Sequence, residues 1–493
     1  MDHTGDGEIP GAEHQKLTAD GGGGEDRLSA LPDDILVQIL LRLDYSGRTS
    51  AAARTSVLSR RWPHLWFLLP EFSFGPEAGG HIVRAALSAH EAPSLRCLAV
   101  RADSSPGSIA EWLPVAAHRL SGELILFARR AENPGFLELP CFGSATMLHL
   151  HLEFHALALT PSGVFARLTD LTFRCIRFHG PCKLDDAISS LRFPSLKMLA
   201  IECSQGLSNF VIHSASLLKL KLDCLKGLQL LNVVAPALEA LIVIRSFFGR
   251  SAQSQPVANI SAPKLETLRW CDAFDPSTVH FCKMANLQLL RPYHFFVYGP
   301  ENNQDCLRLL QRFQFDAIHT LRFVLAYGTD IFDREYLMED MTVLPDIMVL
   351  ELTVIANGHC IGPSLFHVLR ICTGVRRLNL DLHNNNKLEL EANVACVCVL
   401  PPNWTFEELV LNFLHEVEIT NLSGTEHEMA FVKRFFSWAA ALKEMTIVFH
   451  LSISESTAKV LCKKLLSFSR PGISMKFYLS RKVLDRVLYV PEE

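Results

Sequence analysis

The feature that most limits what this chain can fold into is a short pattern, apolar-x-x-apolar-x-apolar, that recurs from Pro70 onward. Clear copies are Leu95-Leu98-Val100, Met147-Leu150-Leu152, Leu168-Leu171-Phe173, Leu196-Leu199-Ile201, Leu217-Leu220-Leu222, Leu238-Leu241-Val243 and Leu265-Leu268-Trp270. Later ones are Ile318-Leu321-Phe323, Ile347-Leu350-Leu352, Val375-Leu378-Leu380, Leu414-Val417-Ile419 and Leu442-Met445-Ile447. Successive starts from Met147 to Leu265 are 21, 28, 21, 21 and 27 residues apart. The last two apolar residues of each copy are two positions apart, so in an extended segment they share one face and the residue between them takes the other. A unit this short closes no core by itself, whereas stacked neighbours do, and the stack presents a curved wall of strands. At 493 residues the chain is beyond the size at which one compact core stops growing, which an elongated stack accommodates.

These periods lie in the leucine-rich-repeat range, so the expected fold class is α/β, built around an irregular leucine-rich-repeat solenoid. The competing reading is an ordinary α/β domain with parallel strands, but no ligand chemistry is pinned to strand ends. Polar residues between the strand leucines should line the concave wall: Arg174, Glu202, Lys219, Lys221, Asp223, Arg269, Arg376, Arg377, Asn379 and Asp381. Most such side chains are simply solvated. Arg174, Lys219, Lys221, Arg269, Arg376 and Asn379 are the candidates for contact with a protein target, since exposed polar groups on a rigid wall suit recognition. Cys175, Cys203 and Cys224 each fall seven residues after the start of a copy, an inward position by period-two alternation, and are expected as small core residues.

The N-terminus has a different character. Residues 1–25 carry Gly, Asp, Glu and His and end in Gly21-Gly22-Gly23-Gly24, the composition of a flexible tail. From Asp26, Leu31, Ile35, Leu36, Ile39, Leu40 and Leu43 recur at helical spacing. Pro32 suits the first turn, and Asp33 and Asp34 complement the positive end of the helix dipole. Thr49 is placed to cap a second helix running through Leu58, and Ser59 a third containing Trp62, Leu65 and Trp66. Three helices in about forty residues bury too little surface to stand alone. Their spare apolar stripe and two tryptophans must therefore pack on the rest of the chain or on another protein.

Residues 27–74, with RLSALPDDILVQILLRL followed by ARTSVLSRRWPHLWFLLPEFSF, resemble the F-box of the large plant F-box family. The resemblance implies that this segment docks a Skp-type adaptor and through it a cullin. It carries over to Leu31, Pro32, Ile35, Leu36, Ile39, Leu40, Leu43, Leu58, Trp62, Leu65 and Trp66 as adaptor-binding residues. Two departures stand out: Tyr45-Ser46-Gly47-Arg48 replaces the usual acidic or Lys-containing connector, and Pro63 stands where a basic residue is usual. At the other end, HEVEITNLSGTEHEMAFVKRFFSWAAALKEMTIVF, preceded by Leu400-Pro401-Pro402-Asn403-Trp404, resembles the FBD region of plant F-box and leucine-rich-repeat proteins. Thr425 and Glu428 stand as a capping box for a helix in which Met429, Val432, Phe435 and Phe436 share a face. A second helix is expected near Thr457 to Phe468, stopping at Pro471-Gly472. The organisation read from the sequence is a tail (1–25), an F-box (26–74), a repeat body (75–397) and an FBD-like C-terminal cap (398–493).

Other chemistries find little support. A net charge of −5 gives no basic excess for tracking a phosphate backbone, so no nucleic acid is expected. No uncharged apolar run approaches the roughly 18 residues of a membrane span, and no secretory signal opens the chain; no membrane is expected, and a cytoplasmic or nuclear location is. The 14 cysteines are scattered, and Cys396 and Cys398 lack a matching second pair, so neither a RING nor another metal site is read. Gly362-Pro363-Ser364-Leu365-Phe366 lacks the closing Gly of a nucleophile elbow. His149 and His151 should face solvent from one strand. No catalytic residue, metal or cofactor is assigned. The reading is a non-enzymatic adaptor subunit of an SCF-type ubiquitin ligase whose repeats hold a target for ubiquitination. Its alternatives are a ligase-independent repeat scaffold and a small-molecule-sensing F-box receptor, whose mark would be a basic pocket beneath the concave face.

Overall fold

A computed structural model describes residues 31–42, 49, 54–57, 61–102, 106–129, 136–160, 162–179, 189–247, 257–299, 303–328, 331, 334–372, 374–383, 408–482 and 485–490. One 18-stranded sheet runs through them, and its spatial order follows the chain from Glu71–Phe74 to Asp485–Tyr489. Every pairing in it is parallel except the last, where Asp485–Tyr489 turns back against Ser474–Lys482.

The apolar pattern becomes a single column. Phe72 pairs with Leu98, Leu98 with Leu124, and the column continues through Leu148, Leu171 and Leu199 to Met445 and Met475. From Phe72 to Met445 these residues are buried, and the residues between them form the other face of the sheet, mixed in its first half, with Ile125 and Ile242 among its members, and charged or polar from Arg269 to Glu418. Each of the twelve copies lies on a strand, but one frame shifts. Leu148 and Leu150 align with Leu171 and Phe173, so the repeat begins at the buried Ala145, with Met147 between faces. Between the first and last copies, two units escaped the pattern. Leu124 and Leu126 belong to Leu120–Ala128, where Ser121 stands in the first apolar position, and Leu290 lies on the three-residue strand Leu289–Arg291, where Pro292 takes the last.

The second layer varies along the stack. Where column residues follow at 21 residues, as from Leu199 to Leu220 to Leu241, no helix fits and the return path is a second strand. These strands form two further parallel ladders, one from Phe136–Leu139 to Arg177–Phe178, the other from Asn209–His213 to Val279–Phe281. From Leu350 to Leu378, at 28 residues, the return path takes the helix Gly362–Ile371, and from Leu321 to Leu350, at 29, it includes the 3₁₀ turn Met338–Asp340; the 28 residues from Leu171 to Leu199 instead include the short strand Arg177–Phe178. Helices also cover the N-terminal end at Gly80–Ala89 and Pro106–Arg119.

Cys175, Cys203 and Cys224 depart from expectation. Each follows its strand with φ near +50° and is half-buried. The strand has ended one residue earlier, so period-two alternation no longer applies. Their amides extend the ladder by one bond each, Cys175 N–H to Glu202 O at 2.9 Å, Cys203 N–H to Asp223 O at 2.8 Å and Cys224 N–H to Ile244 O at 2.8 Å.

At the N-terminal end the first helix spans Asp33–Leu40, with Pro32 as its N-cap and both aspartates in its first turn. The expected third helix is one turn, Trp62–Leu65, continuing as the 3₁₀ turn Trp66–Leu68, and Pro63 sits in its first turn, where a missing N–H costs nothing. The second falls mostly outside the described residues; Thr55–Val57 is a 3₁₀ turn. The Thr49 hydroxyl accepts the Ser73 N–H at 2.8 Å, tying the helical unit to the first strand. That strand, Glu71–Phe74, lies inside the segment expected to be F-box and belongs to the sheet.

At the C-terminal end Glu426–Trp438 carries the expected capping box, with Thr425 Oγ1 accepting from Glu428 N–H and Glu428 Oε2 accepting from Thr425 N–H. The next helix runs Glu455–Phe468 and is capped by Ser454, starting two residues earlier than expected. Its flanking strands Glu416–Leu422, Glu444–Phe449 and Ser474–Lys482 continue the sheet of the repeat body. Among the described residues no helix is long and apolar enough to cross a membrane.

Candidate interaction surfaces

The stripe on the first helix divides. Leu36 and Leu40 are 0% and 1% exposed, whereas Ile35 and Ile39 are 42% and 38% exposed. The buried pair turns toward Trp62–Leu65 and Trp66–Leu68, which present Trp62 and Leu65, both also buried. These four were expected on the adaptor face and instead form the unit's own core, because a unit this small closes around its largest apolar side chains first. Leu31 and Trp66 are half-buried against that core, and Pro32 is exposed. Leu43 and Leu58 lie outside the described residues. The outward apolar face is therefore Pro32, Ile35 and Ile39 at helical spacing. Val57, in the 3₁₀ turn Thr55–Val57, is also exposed, at 88%.

The unit rests on the end of the stack. Phe67 O accepts from Glu91 N–H at 2.9 Å and Pro70 O from Arg96 N–H at 2.6 Å. Half of the stripe is thus covered by its own chain and half faces outward.

Of the concave candidates, Arg174, Lys219, Lys221, Arg269 and Asn379 lie on sheet strands, their neighbours in sequence turned into the core. Lys221 Nζ is held by Glu202 at 2.6 Å and Asp223 at 3.6 Å, and Arg174 is 3.9 Å from Glu202. Lys219 is exposed, and Asn379 Oδ1 accepts from Arg377 Nε at 3.2 Å. Arg376 is off the wall: it precedes the strand Arg377–His383, and its carbonyl accepts from His415 and Glu416. Arg291, Arg322 and Glu351, absent from the expected set, occupy the same row as Arg269 and Asn379. For Arg322 the signal was present, between Leu321 and Phe323. A groove of about 400 Å³ opens over this part of the wall, lined by Arg291, Arg322, Glu351, Asn379, Asp381 and Glu418 among others.

Possible reactive groups are structural where the chain places them. Ser364 is fully buried in a helix, 2.5 Å from the Tyr327 hydroxyl. His149 and His151 are half-buried rather than solvated, the first 3.7 Å from Glu123, the second edge-on to Phe127. Burial pushes the thiols of Cys306 and Cys462 up to about 12, which keeps them protonated. Among the described residues no group of three or more His, Cys, Asp or Glu side chains could hold a metal ion.

Comparison with known proteins agrees with the repeats. Residues 109–283 match a family model described as FBD-associated F-box protein At5g56370, LRR repeats. An Arabidopsis thaliana protein provisionally named F-box/FBD/LRR-repeat protein At4g03220 is 27% identical over 459 residues, 86% of this chain and 89% of its own length. Another, provisionally named F-box/FBD/LRR-repeat protein At1g22000, is 28% identical over 208 residues, 40% of this chain, and only 43% of its length is spanned. F-box/FBD/LRR-repeat protein At5g56420 of the same plant is 32% identical over 140 residues, 26% of this chain and 32% of its own.

Proposed function

We propose that this chain, a relative of the plant F-box/FBD/LRR-repeat proteins, is the target-recognition subunit of an SCF-type, cullin-based ubiquitin ligase. In this reading the helical unit at 26–74 is an F-box that docks a Skp-type adaptor through Pro32, Ile35, Ile39 and Val57. The concave wall holds the target, and the FBD-like region closes the far end of the stack. The subunit does no chemistry of its own. It holds target lysines near activated ubiquitin, so catalysis by this subunit is proximity. The expected location is cytoplasm or nucleus.

The observation that carries the reading is the split stripe. Leu36 and Leu40 fix the first helix on its own unit, and Ile35 and Ile39 are left bare on the same two turns. Exposed apolar side chains on a rigid, internally packed element fit a docking face for another protein. The test is co-purification of the Skp-type adaptor with the full chain and with Ile35→Asp/Ile39→Asp. Loss of adaptor from a variant that melts like the wild type supports the reading. Equal recovery from both sinks it.

A further inference from the structure

The concave wall carries a charge arrangement that its own chain does not resolve. Arg269 and Arg291 stand at matching positions on neighbouring parallel strands, and Arg291 in turn pairs in register with Arg322 through the Leu290 and Leu321 alignment. Adjacent strands are only about 4.8 Å apart, and like charges directly opposite one another are destabilising. Arg322 takes its counter-charge from Glu351. Among the described residues, neither Arg269 nor Arg291 has a carboxylate within ion-pairing distance.

The acids of the wall are engaged elsewhere. Glu202 is taken by Lys221, Glu418 by Arg486 and Glu444 by Lys476, each at 2.6 or 2.7 Å. Asp381 accepts from Thr420, Asn421 and His383. A second observation points the same way: Arg269 Nε is buried and has no hydrogen-bond partner. A buried guanidinium N–H left unmade is costly unless something completes it. Arg291 lines the 400 Å³ groove, and Arg269 stands next to it on the adjacent strand, just outside the lining.

We infer that Arg269 and Arg291 form a binding site for an oxyanion, a phosphate or carboxylate group presented into the groove beside Arg322. Two guanidinium forks on adjacent strands match the paired oxygens of such a group, and a doubly charged phosphate compensates both cations at once. Burial, and after it the neighbouring Arg269 and Arg322 charges, lowers the Arg291 pKa, with Cys271 and the more distant Glu351 opposing them. Burial, and after it the Arg291, Arg269 and Arg245 charges, holds the His294 imidazole below its usual range. The inference deepens the reading of the concave wall as a recognition surface and is independent of the helical unit's role.

The full-length chain is melted in millimolar pyrophosphate and in sodium chloride of equal ionic strength, alongside Arg269→Gln, Arg291→Gln and Lys219→Gln. Lys219 is an exposed cation on the same wall and outside the groove. The wild type and Lys219→Gln should gain about 2 °C with pyrophosphate, and both arginine variants should lose that gain. In chloride alone Arg291→Gln should melt no lower than the wild type, since it relieves a like-charge contact; a merely structural arginine would show a drop. Competition between inorganic phosphate and a short phosphoserine peptide then separates a free ion from a phosphorylated side chain, and acetate in place of phosphate tests the carboxylate. A wild type indifferent to all of these anions, or variants that respond as the wild type does, overturns the site. Adaptor co-purification is read in parallel, so loss of the anion site and loss of the adaptor face are told apart.

Discussion

Arg61 donates from Nε to Asp33 Oδ1 at 2.6 Å, while its Nη1 donates to the Leu31 carbonyl at 2.7 Å. The residue just before Trp62 thus holds the N-terminus of the first helix, 28 residues upstream. That clamp fixes the direction in which Ile35 and Ile39 point. It joins the two halves of the motif, Leu31-Pro32-Asp33 and Arg60-Arg61-Trp62, through side-chain geometry.

Replacing Arg61 with Ala should cost about 1 kcal/mol or less, because both partners are substantially exposed and such pairs are screened. Lys should not restore the clamp, since one ammonium cannot serve a carboxylate and a carbonyl as a planar fork does. Chemical denaturation of the three proteins checks this, and full rescue by Lys would contradict it.

Leu36→Asp should behave quite differently from Ile35→Asp. Leu36 is fully buried, so an unpaired carboxylate there costs about 3 kcal/mol or more and melts the helical unit before any partner is involved. Trp62→Ala/Leu65→Ala should do likewise through cavities. Limited proteolysis reads this out as rapid cleavage ahead of Pro70 in these variants and slow cleavage in Ile35→Asp.

Asp272 gives a pH signature. Burial raises its carboxyl from 3.8 to about 6, against three backbone N–H groups, from Ser246, Phe247 and Ala273, that favour the carboxylate. As pH falls through about 6 the folded chain takes up this proton first, the unfolded chain only near 3.8. The folded state therefore binds more protons across that window, and stability from this site rises as pH falls, by up to about 3 kcal/mol. The wild type should gain on Asp272→Asn between about pH 7 and about pH 4.5 by denaturant midpoint. A gap that does not change with pH would rule this out.

Gly206 and Gly227 make a matched pair. Their φ values are +91° and +88°, yet a Cβ on Gly206 would meet Phe178 O at 2.4 Å, and one on Gly227 meets nothing within 4 Å. Gly227→Ala should cost about 1 kcal/mol for the left-handed backbone alone. Gly206→Ala should cost at least about 2 kcal/mol, because the backbone it strikes belongs to the neighbouring repeat. Equal melting temperatures would show that the contact relaxes freely.

Much of this molecule was legible because repeat geometry converts spacing directly into position. Leu199, Leu220 and Leu241 sit where their spacing put them, and the Thr425 and Glu428 capping box closes as read. The pattern misled where a strand stops: Met147 slipped the frame by two, and Cys175, Cys203 and Cys224 lie past the last extended residue. Spacing located the stripe on the first helix but not its division between inside and outside. That division depends on where Trp62 and Leu65 arrive in space, which helical periodicity does not encode. Arg291 was hidden for a simpler reason: its strand is three residues long and its repeat lacks the third apolar residue.

One feature of the sheet changes how this protein should be dissected. Backbone bonding passes without interruption from Glu71–Phe74 through the repeats and into Ser474–Lys482, ignoring the borders that sequence likeness draws. Cutting the chain at either border therefore severs a ladder instead of freeing a module. Removing residues 27–74 would bare the edge of Leu95–Ala102, and stopping after His383 would bare that of Arg377–His383. Raw strands of this kind seek the edges of other molecules, so truncations should clump, and single side-chain changes are the cleaner instrument.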